Sequence, residues 1–518
     1  MTDSSKPEFG RWRSMLWPIH GYELKKILPM FLMFFCISFN YTVLRDTKDT
    51  LIVTAAGSGA EAIPFIKFWC VVPCAVIFML IYSKLSNVLS KERLFYVSIT
   101  PFILFFAAFA LFIYPNKELL HPTASADALA AMLPAGFKGL IALYRNWTYA
   151  LFYVLGELWG SVALSLLFWG FANEITRICE AKRFYHLFGL GANIALLFSG
   201  PFIVKVSNIR SKLPANVDAW GVSLNYLMSA VVMAGLIIIA TYWWINRKVL
   251  TDPRFYDPND HKVKKDKPKM SLGESMKFLL KSKYILCLAT LVIAYGISIN
   301  LVEVSWKNQL KLQFPNPNEY STFMGYFSTV TGFTTIISIL FIARSAIKKG
   351  WGFAAMITPI VLSITGLAFF SFVLFNQSVA GFIAMLGTSP LWLAVIFGAG
   401  QNIMSKATKY SLFDPTKEMA YIPLDQESKV KGKAAIDVVG ARLGKSGGSL
   451  IQQGLILVLG SVGAIAPYVA AILLGIIAVW LIAVKSLNKQ FHALTDKPTA
   501  KVKGGSAVNE PQPEPATT

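Results

Sequence analysis

Residues 463–484 read GAIAPYVAAILLGIIAVWLIAV and contain no charged side chain. A helix of this length rises about 1.5 Å per residue and so spans the roughly 30 Å hydrocarbon core of a bilayer. Apolar runs of similar length recur along nearly the whole chain. Because lipid offers no partner for a backbone N–H or C=O, each run must be a helix or part of a closed barrel. Barrel strands alternate lipid-facing and lumen-facing residues, and these continuous runs do not. The sequence therefore predicts an all-α polytopic membrane protein.

Composition and charge support this class of protein. The chain has 518 residues, of which 55% are hydrophobic and 15% are charged, against about 25% charged in soluble proteins. The net charge of +21 does not indicate a nucleic-acid partner, because most Lys and Arg lie in short segments between apolar runs and form no basic stripe. The five cysteines show no metal-ligand spacing. The lipid bilayer is the expected partner, and no metal or cofactor is expected.

About twelve membrane-spanning helices are predicted from the apolar runs. They lie near residues 27–44, 62–83, 94–114, 147–172, 184–204, 220–246, 284–303, 320–343, 353–375, 382–405, 434–460 and 463–484.

The longest charged segment between spans, residues 247–283, divides the chain into two halves. Residues 27–246 form the first six-helix half and residues 284–484 the second. The first 26 residues resemble neither a signal peptide nor a transit peptide. The tail, residues 485–518, is expected to be largely disordered.

The positions of Lys and Arg predict the orientation of the chain. If the N-terminus is cytoplasmic, 36 of the 49 Lys and Arg fall on the cytoplasmic side, 10 on the other side and three inside spans. Cytoplasmic segments of membrane proteins carry this excess. Both termini are therefore predicted to be cytoplasmic.

The two halves are faintly similar. NYTVLRDTK at 40–48 follows the first span, and NLVEVSWK at 300–307 follows the seventh. The fifth and eleventh spans both follow a basic loop and are interrupted by glycine. Two six-helix halves are typical of the major-facilitator architecture, in which the substrate cavity lies between the halves near the midplane.

Five ionisable residues inside or at the end of spans stand out: Lys67, Glu157, Glu303, Arg442 and Lys445. An ionisable side chain at the centre of a span costs about 2.5–3.5 kcal/mol on insertion scales, so it normally faces a cavity or a partner. One interpretation is that these residues form interhelical ion pairs or extend to the membrane interface. The other is that they line a polar path through the protein.

The second interpretation points to an anionic cargo. Two cations from opposite halves, Lys67 and Lys445, suit a multiply charged anion because each ammonium offers three donors to phosphate oxygens, and Arg442 lies on the same face as Lys445. The carboxylates would balance the positive charge of the empty cavity.

Further polar and aromatic residues fit the same cavity. Arg45, Lys48 and Lys307 are expected to join Glu157 and Glu303 in a gating network. Asn300, Gln401, Asn402, Phe68 and Tyr153 are candidate contacts for a base, and Lys406 ends the tenth span beside two of them. The alternatives are helix–helix hydrogen bonds for the amides and interfacial belts for the aromatics.

A catalytic function is not predicted. GARLGKS at 440–446 has three residues between its glycines where a Walker phosphate loop needs four, and it lies in an apolar span with no preceding strand. The five histidines form no HExxH motif, and GxSxG is absent from the sequence.

Three stretches resemble the bacterial and plastid ATP/ADP translocase family: NYTVLRDTKD at 40–49, KLSNVLSK at 84–91 and ATKYSLFDPTKEMAYIP at 407–423. The similarity covers roughly residues 20–490. It implies that ATP enters in exchange for ADP, with phosphate as a further cargo candidate. The implied location is the inner membrane of an obligate intracellular bacterium, and the alternative is a plastid envelope.

The resemblance also assigns residues. The family's four important intramembrane charges, Lys, Glu, Glu and Lys in chain order, match Lys67, Glu157, Glu303 and Lys445. Family members differ in substrate and coupling, so proton-coupled or broader nucleotide uptake stays open. A carrier of a non-nucleotide solute is the alternative from a different class.

Overall fold

The computed structural model describes residues 17–256 and 282–495, except residues 386, 426–427, 430–431, 434–435 and 437–439. Its elements are α-helices joined by short 3₁₀ and π turns, which confirms the predicted all-α class. Residues 1–16, 257–281 and 496–518 lie outside the described residues. They hold most of the predicted N-terminal segment, basic linker and tail.

Ten helices in the described part of the chain are long and apolar enough to cross a membrane. We number the long helices in chain order. They are α1 Gly21–Thr54, α2 Ala62–Val88, α3 Lys91–Ile113, α4 Trp147–Ile175, α5 Arg183–Lys212, α6 Ala219–Val249, α7 Lys283–Gln313, α8 Pro317–Lys348, α9 Trp351–Leu374 and, last in the chain, α12 Val462–Thr495.

The predicted tenth span, 382–405, is differently built. A short helix, Asn376–Met385, meets α10, Pro390–Ala420, at an angle of 100°, and the two together form an eleventh candidate span. The chain breaks at Gly387, whose φ is 71°, a value that favours glycine. The side chain of Ser389 then accepts a hydrogen bond from the N–H of Trp392 and starts α10.

The predicted eleventh span, 434–460, begins in residues of which several lie outside the described part. It continues as α11, Ala441–Leu459. This helix carries two glutamines, Gln452 and Gln453, besides Arg442 and Lys445. It is not one of the ten helices counted above as long and apolar enough to cross a membrane.

Close helix contacts join the first half of the chain to the second. A Cβ placed on Gly200 of α5 would lie 2.6 Å from the carbonyl oxygen of Gly325 and 2.9 Å from the amide nitrogen of Thr329, both on α8. One on Gly332 of α8 would lie 2.7 Å from the Cβ of Leu196. Small residues of this kind let membrane helices approach closely. They hold α5 and α8 side by side.

The bundle has two ends. We call the end that contains Thr54, Ala62, Gln313 and Pro317 the far end, and the opposite end the near end. Thr54 and Ala62 are joined by a short turn, and the side chain of Lys311 donates to the carbonyl oxygen of Ser58, so these residues lie together.

Polar contacts between the two halves cluster toward the far end. Ser207 Oγ donates to Ser321 Oγ at 2.8 Å. Gln453 Nε2 donates to the Pro64 carbonyl oxygen, and Trp69 Nε1 donates to Gln453 Oε1, both at 3.0 Å. The halves therefore meet closely at the far end.

Several polar contacts near the opposite end stay within one half. Lys26 pairs with Glu180 at 2.7 Å, and Tyr284 donates to the carbonyl oxygen of Ala420 at 2.7 Å. These contacts stabilise each half by itself and do not join one half to the other.

Candidate functional site

Lys67 lies where α2 contains a π turn, Ile66–Val71. Such turns are rare and often occur at functional sites. The Lys67 ammonium donates to Asn300 Oδ1 at 2.9 Å and to Glu303 Oε2 at 3.0 Å, both on α7. A lysine of the first half is therefore bound by a carboxylate of the second.

Glu303 binds a second lysine with its other oxygen. Lys307, one turn further along α7, donates to Glu303 Oε1 at 2.7 Å and to Asp49 Oδ2 of α1 at 2.7 Å. The Lys307 side chain is 1% exposed. A buried ammonium is stable only when it is paired, and Lys307 has one carboxylate from each half.

Asp49 extends the series of ion pairs back into the first half. Its Oδ1 accepts from Lys48 at 3.1 Å, and Lys48 also pairs with Glu157 Oε2 of α4 at 3.1 Å. The Lys48 ammonium lies 3.7 Å from the centroid of the Tyr153 ring, a cation–π contact.

Together these residues form what we call the charge chain: Lys67, Glu303, Lys307, Asp49, Lys48 and Glu157. Its signs alternate, and its three cations balance its three carboxylates. Lys307, Asp49 and Lys48 are buried, whereas Glu303 is 27% and the terminal Glu157 34% exposed. Glu157 lies near the middle of α4, and part of its side chain is exposed there.

A second, shorter bridge lies beside the charge chain. Arg45 Nε donates to Asp46 Oδ1 at 2.9 Å, and an Arg45 terminal nitrogen donates to Ser328 Oγ of α8 at 2.7 Å. Ser328 Oγ in turn donates to Asp46 Oδ2 at 2.6 Å. This bridge also joins the two halves.

Lys445 and Arg442 on α11 are both exposed, and in the described part of the chain neither has a carboxylate within 4.0 Å. Lys445 and Lys67 both lie close enough to Glu157 to act on its charge. Lys445 of the second half therefore lies near Glu157 of the first. The four residues Lys67, Glu157, Glu303 and Lys445 are brought to one region.

The candidate base contacts lie in different surroundings. Asn300 holds Lys67 and also donates to the Gly296 carbonyl oxygen at 3.0 Å, and Asn402 donates to that of Gly398 at 2.9 Å. Phe68 packs edge-on against Trp69. The Lys67 contact of Asn300 joins two helices, whereas the hydrogen bond of Asn402 lies within α10.

Two other candidates keep unused polar atoms. Gln401 is 0% exposed, and among the described residues its amide oxygen and nitrogen have no hydrogen-bond partner. The hydroxyl of Tyr153 is likewise unpartnered there.

Sequence reasoning missed Asp46, Asp49 and Ser328. The first span was predicted to end at residue 44, but α1 continues to Thr54. The segment RDTKD at 45–49 therefore lies inside a helix, and Lys48, Asp46 and Asp49 are buried. The three-residue spacing from Arg45 to Lys48 and from Asp46 to Asp49 is the signal that could have placed them on a helix.

An all-helical membrane bundle with buried ion pairs joining its two halves defines a membrane transporter. The fold is similar to that of a D-xylose-proton symporter, with a TM-score of 0.53 and 12% identity over 90% of this chain and 97% of that one. It is also similar to a nucleoside transporter, with a TM-score of 0.51 and 11% identity over 89% and 98% of the chains.

Residues 2–491 match the model of the TLC ATP/ADP transporter family. The chain is 64% identical to ADP,ATP carrier protein 1 of Chlamydia trachomatis over 95% of this chain and 94% of that protein. It is 59% identical to the chloroplastic ADP,ATP carrier protein 2 of Arabidopsis thaliana over 92% and 76%. It is 44% identical to ADP,ATP carrier protein 1 of Rickettsia prowazekii over 96% and 99%.

The chain belongs to the TLC ATP/ADP transporter family. This confirms the resemblance found in the sequence, and it makes the chain a transporter and not an enzyme.

Proposed function

We propose that this chain exchanges external ATP for internal ADP by alternating access. Its halves, residues 27–246 and 284–484, would rock about the bound nucleotide. The observation that supports this most strongly is the charge chain, because its Lys67–Glu303 and Lys307–Asp49 pairs join the halves and lie toward one end. Such ion pairs can break and re-form as the halves move. A contact made of apolar side chains would instead expose apolar surface to water each time it opened.

The phosphates would bind beside Glu157, in a space between the halves. Lys445 is exposed and has no carboxylate within 4.0 Å among the described residues, so it can donate to a phosphate oxygen without first leaving a partner. An empty carrier keeps this positive charge uncompensated. Reorientation without cargo would therefore be slow, which is what exchange requires.

The excess of Lys and Arg on one side supports a cytoplasmic location for both termini, in a bacterial inner membrane. The far end would then be external, and the described arrangement would be closed outside and open toward the cytoplasm. Exchange of ATP⁴⁻ for ADP³⁻ moves one net charge, worth about 2.3 kcal/mol per 100 mV. Phosphate transported with ADP would reduce the free energy that the membrane potential contributes.

Labelled-ATP uptake into proteoliposomes tests exchange. We expect rapid uptake when the vesicles contain ADP and at least about tenfold slower uptake when they contain buffer alone, because the empty site reorients slowly. Vesicles without protein are the control. Uptake that is independent of internal ADP but follows an imposed proton gradient would favour proton-coupled uptake and contradict exchange.

A further inference from the structure

Lys406 of α10 differs from the lysines of the charge chain. Its side chain is half-buried, and its ammonium lies 4.7 Å from the centroid of the Phe327 ring on α8. Within the described residues no carboxylate oxygen lies within 4.0 Å of it, whereas Lys48, Lys67 and Lys307 each pair with at least one.

The charged groups around Lys406 are already engaged. Arg45, Asp46, Glu303 and Lys307 all lie close enough to act on its charge. Glu303 is bound by Lys67 and Lys307, and Asp46 by Arg45 and Ser328. Lys406 therefore lies beside both bridges between the halves and has no free carboxylate to pair with there.

The positive and negative charges of this region do not balance. The two bridges with Lys406 and Lys445 contain six cations and four carboxylates. Of these six, Lys406 and Lys445 have no carboxylate within 4.0 Å among the described residues, and Arg442 beside Lys445 has none there either. A partly buried ammonium over an aromatic face is poorly compensated compared with one that has an anion, so this region is built to receive a negative ligand.

We propose that Lys406 is a phosphate-contact residue of the nucleotide site and that it acts together with Lys445. The inference rests on the proposed function and deepens it. Lys67, the other intramembrane lysine that the sequence singles out for phosphate, instead holds Glu303 and Asn300 in this state and keeps the far end closed. When nucleotide binds, the Lys406 ammonium leaves the Phe327 ring and donates to a phosphate oxygen.

Inhibition of labelled-ATP uptake by ATP, ADP and AMP tests the assignment. We expect Lys406→Gln to raise the inhibition constant of ATP at least about tenfold, since a charge-assisted hydrogen bond is lost. The increase should be smaller for ADP and smallest for AMP, because each has fewer phosphates. Lys406→Arg keeps the charge and should stay within about threefold of the wild-type constants.

Lys409→Gln is the matched control. Lys409 follows one turn later and pairs with Asp414 at 2.9 Å, so its loss should not depend on the number of phosphates. Unfolding midpoints without ligand check the fold of each variant. Lys406→Met, whose stem can still pack on Phe327, replaces Lys406→Gln if that variant does not fold.

The outcomes separate the two proposals. An equal loss for all three nucleotides, or no loss for ATP, would overturn the assignment of Lys406 while ATP/ADP exchange by the wild type stands. A wild-type protein that takes up no labelled ATP would overturn the proposed function itself.

Discussion

Glu303 accepts from lysines of both halves, with Lys67 at 3.0 Å and Lys307 at 2.7 Å. Lys307 keeps Asp49 if Glu303 is lost. Lys67 would keep no carboxylate among the described residues, because Glu303 is its carboxylate partner there and its other partner, Asn300, is neutral. The loss of one carboxylate would therefore leave a positive charge unbalanced at the contact between the halves.

We expect Glu303→Gln to lower the initial rate of ATP/ADP exchange at least about tenfold, since a charge-assisted contact contributes about 1.5–3 kcal/mol. Initial rates in proteoliposomes measure this. Glu319→Gln is the control, because Glu319 pairs with Arg210 of the other half but is 53% exposed, and exposed pairs contribute about 0–1 kcal/mol. Equal rates for both variants would contradict a role for the charge chain.

At the scale of elements, the approach of α5 to α8 depends on glycine. The atoms nearest a Cβ on Gly200 include backbone atoms of α8, which cannot rotate away as a side chain can. A Cβ on Gly189, in the same helix, would meet nothing within 4 Å. The two glycines therefore differ in the room available for a Cβ, whereas the preference of alanine for a helix is the same at both positions.

We expect Gly200→Ala to destabilise the protein by about 1–3 kcal/mol through overpacking and to slow exchange. Gly189→Ala should be neutral or stabilising by up to about 1 kcal/mol, as alanine is the better helix former. Thermal-unfolding midpoints and exchange rates check both. A Gly200→Ala protein as stable and active as Gly189→Ala would show that this contact is not tight.

Most helices could be predicted from the sequence because each apolar run is long enough to indicate one membrane-spanning helix. That prediction placed the end of α1 too early, at residue 44, because RDTKD at 45–49 is polar by itself. Those charges are stable in a helix only through partners on α4, α7 and α8, such as Glu157, Lys307 and Ser328. Contacts between helices distant in sequence are not visible in a hydropathy pattern.

The same reason limits prediction of the site. The free-energy cost of placing a charge within a span singled out Lys67, Glu157, Glu303 and Lys445. It did not show that Lys67 has a carboxylate partner while Lys406 has none among the described residues, because pairing depends on which helices face each other. The residue contacts proposed for the base stay predictions.

Exchange by alternating access requires the far end of the whole bundle to open. The charge chain, the Arg45–Asp46–Ser328 bridge and the Ser207–Ser321 contact hold the two halves together there. Nucleotide can cross only if these contacts separate in each cycle. A covalent link at the far end would therefore stop transport without touching the proposed phosphate contacts.

The most direct test is ATP/ADP exchange by the double variant Ser207→Cys with Ser321→Cys, whose hydroxyl oxygens lie 2.8 Å apart in the native pair. Each single variant controls for the native cysteines. We predict that oxidation lowers exchange by about tenfold or more in the double variant alone, and that reduction restores it, since a disulfide fixes the two Cβ atoms about 3.8 Å apart. Undiminished exchange by the fully cross-linked protein would contradict the account.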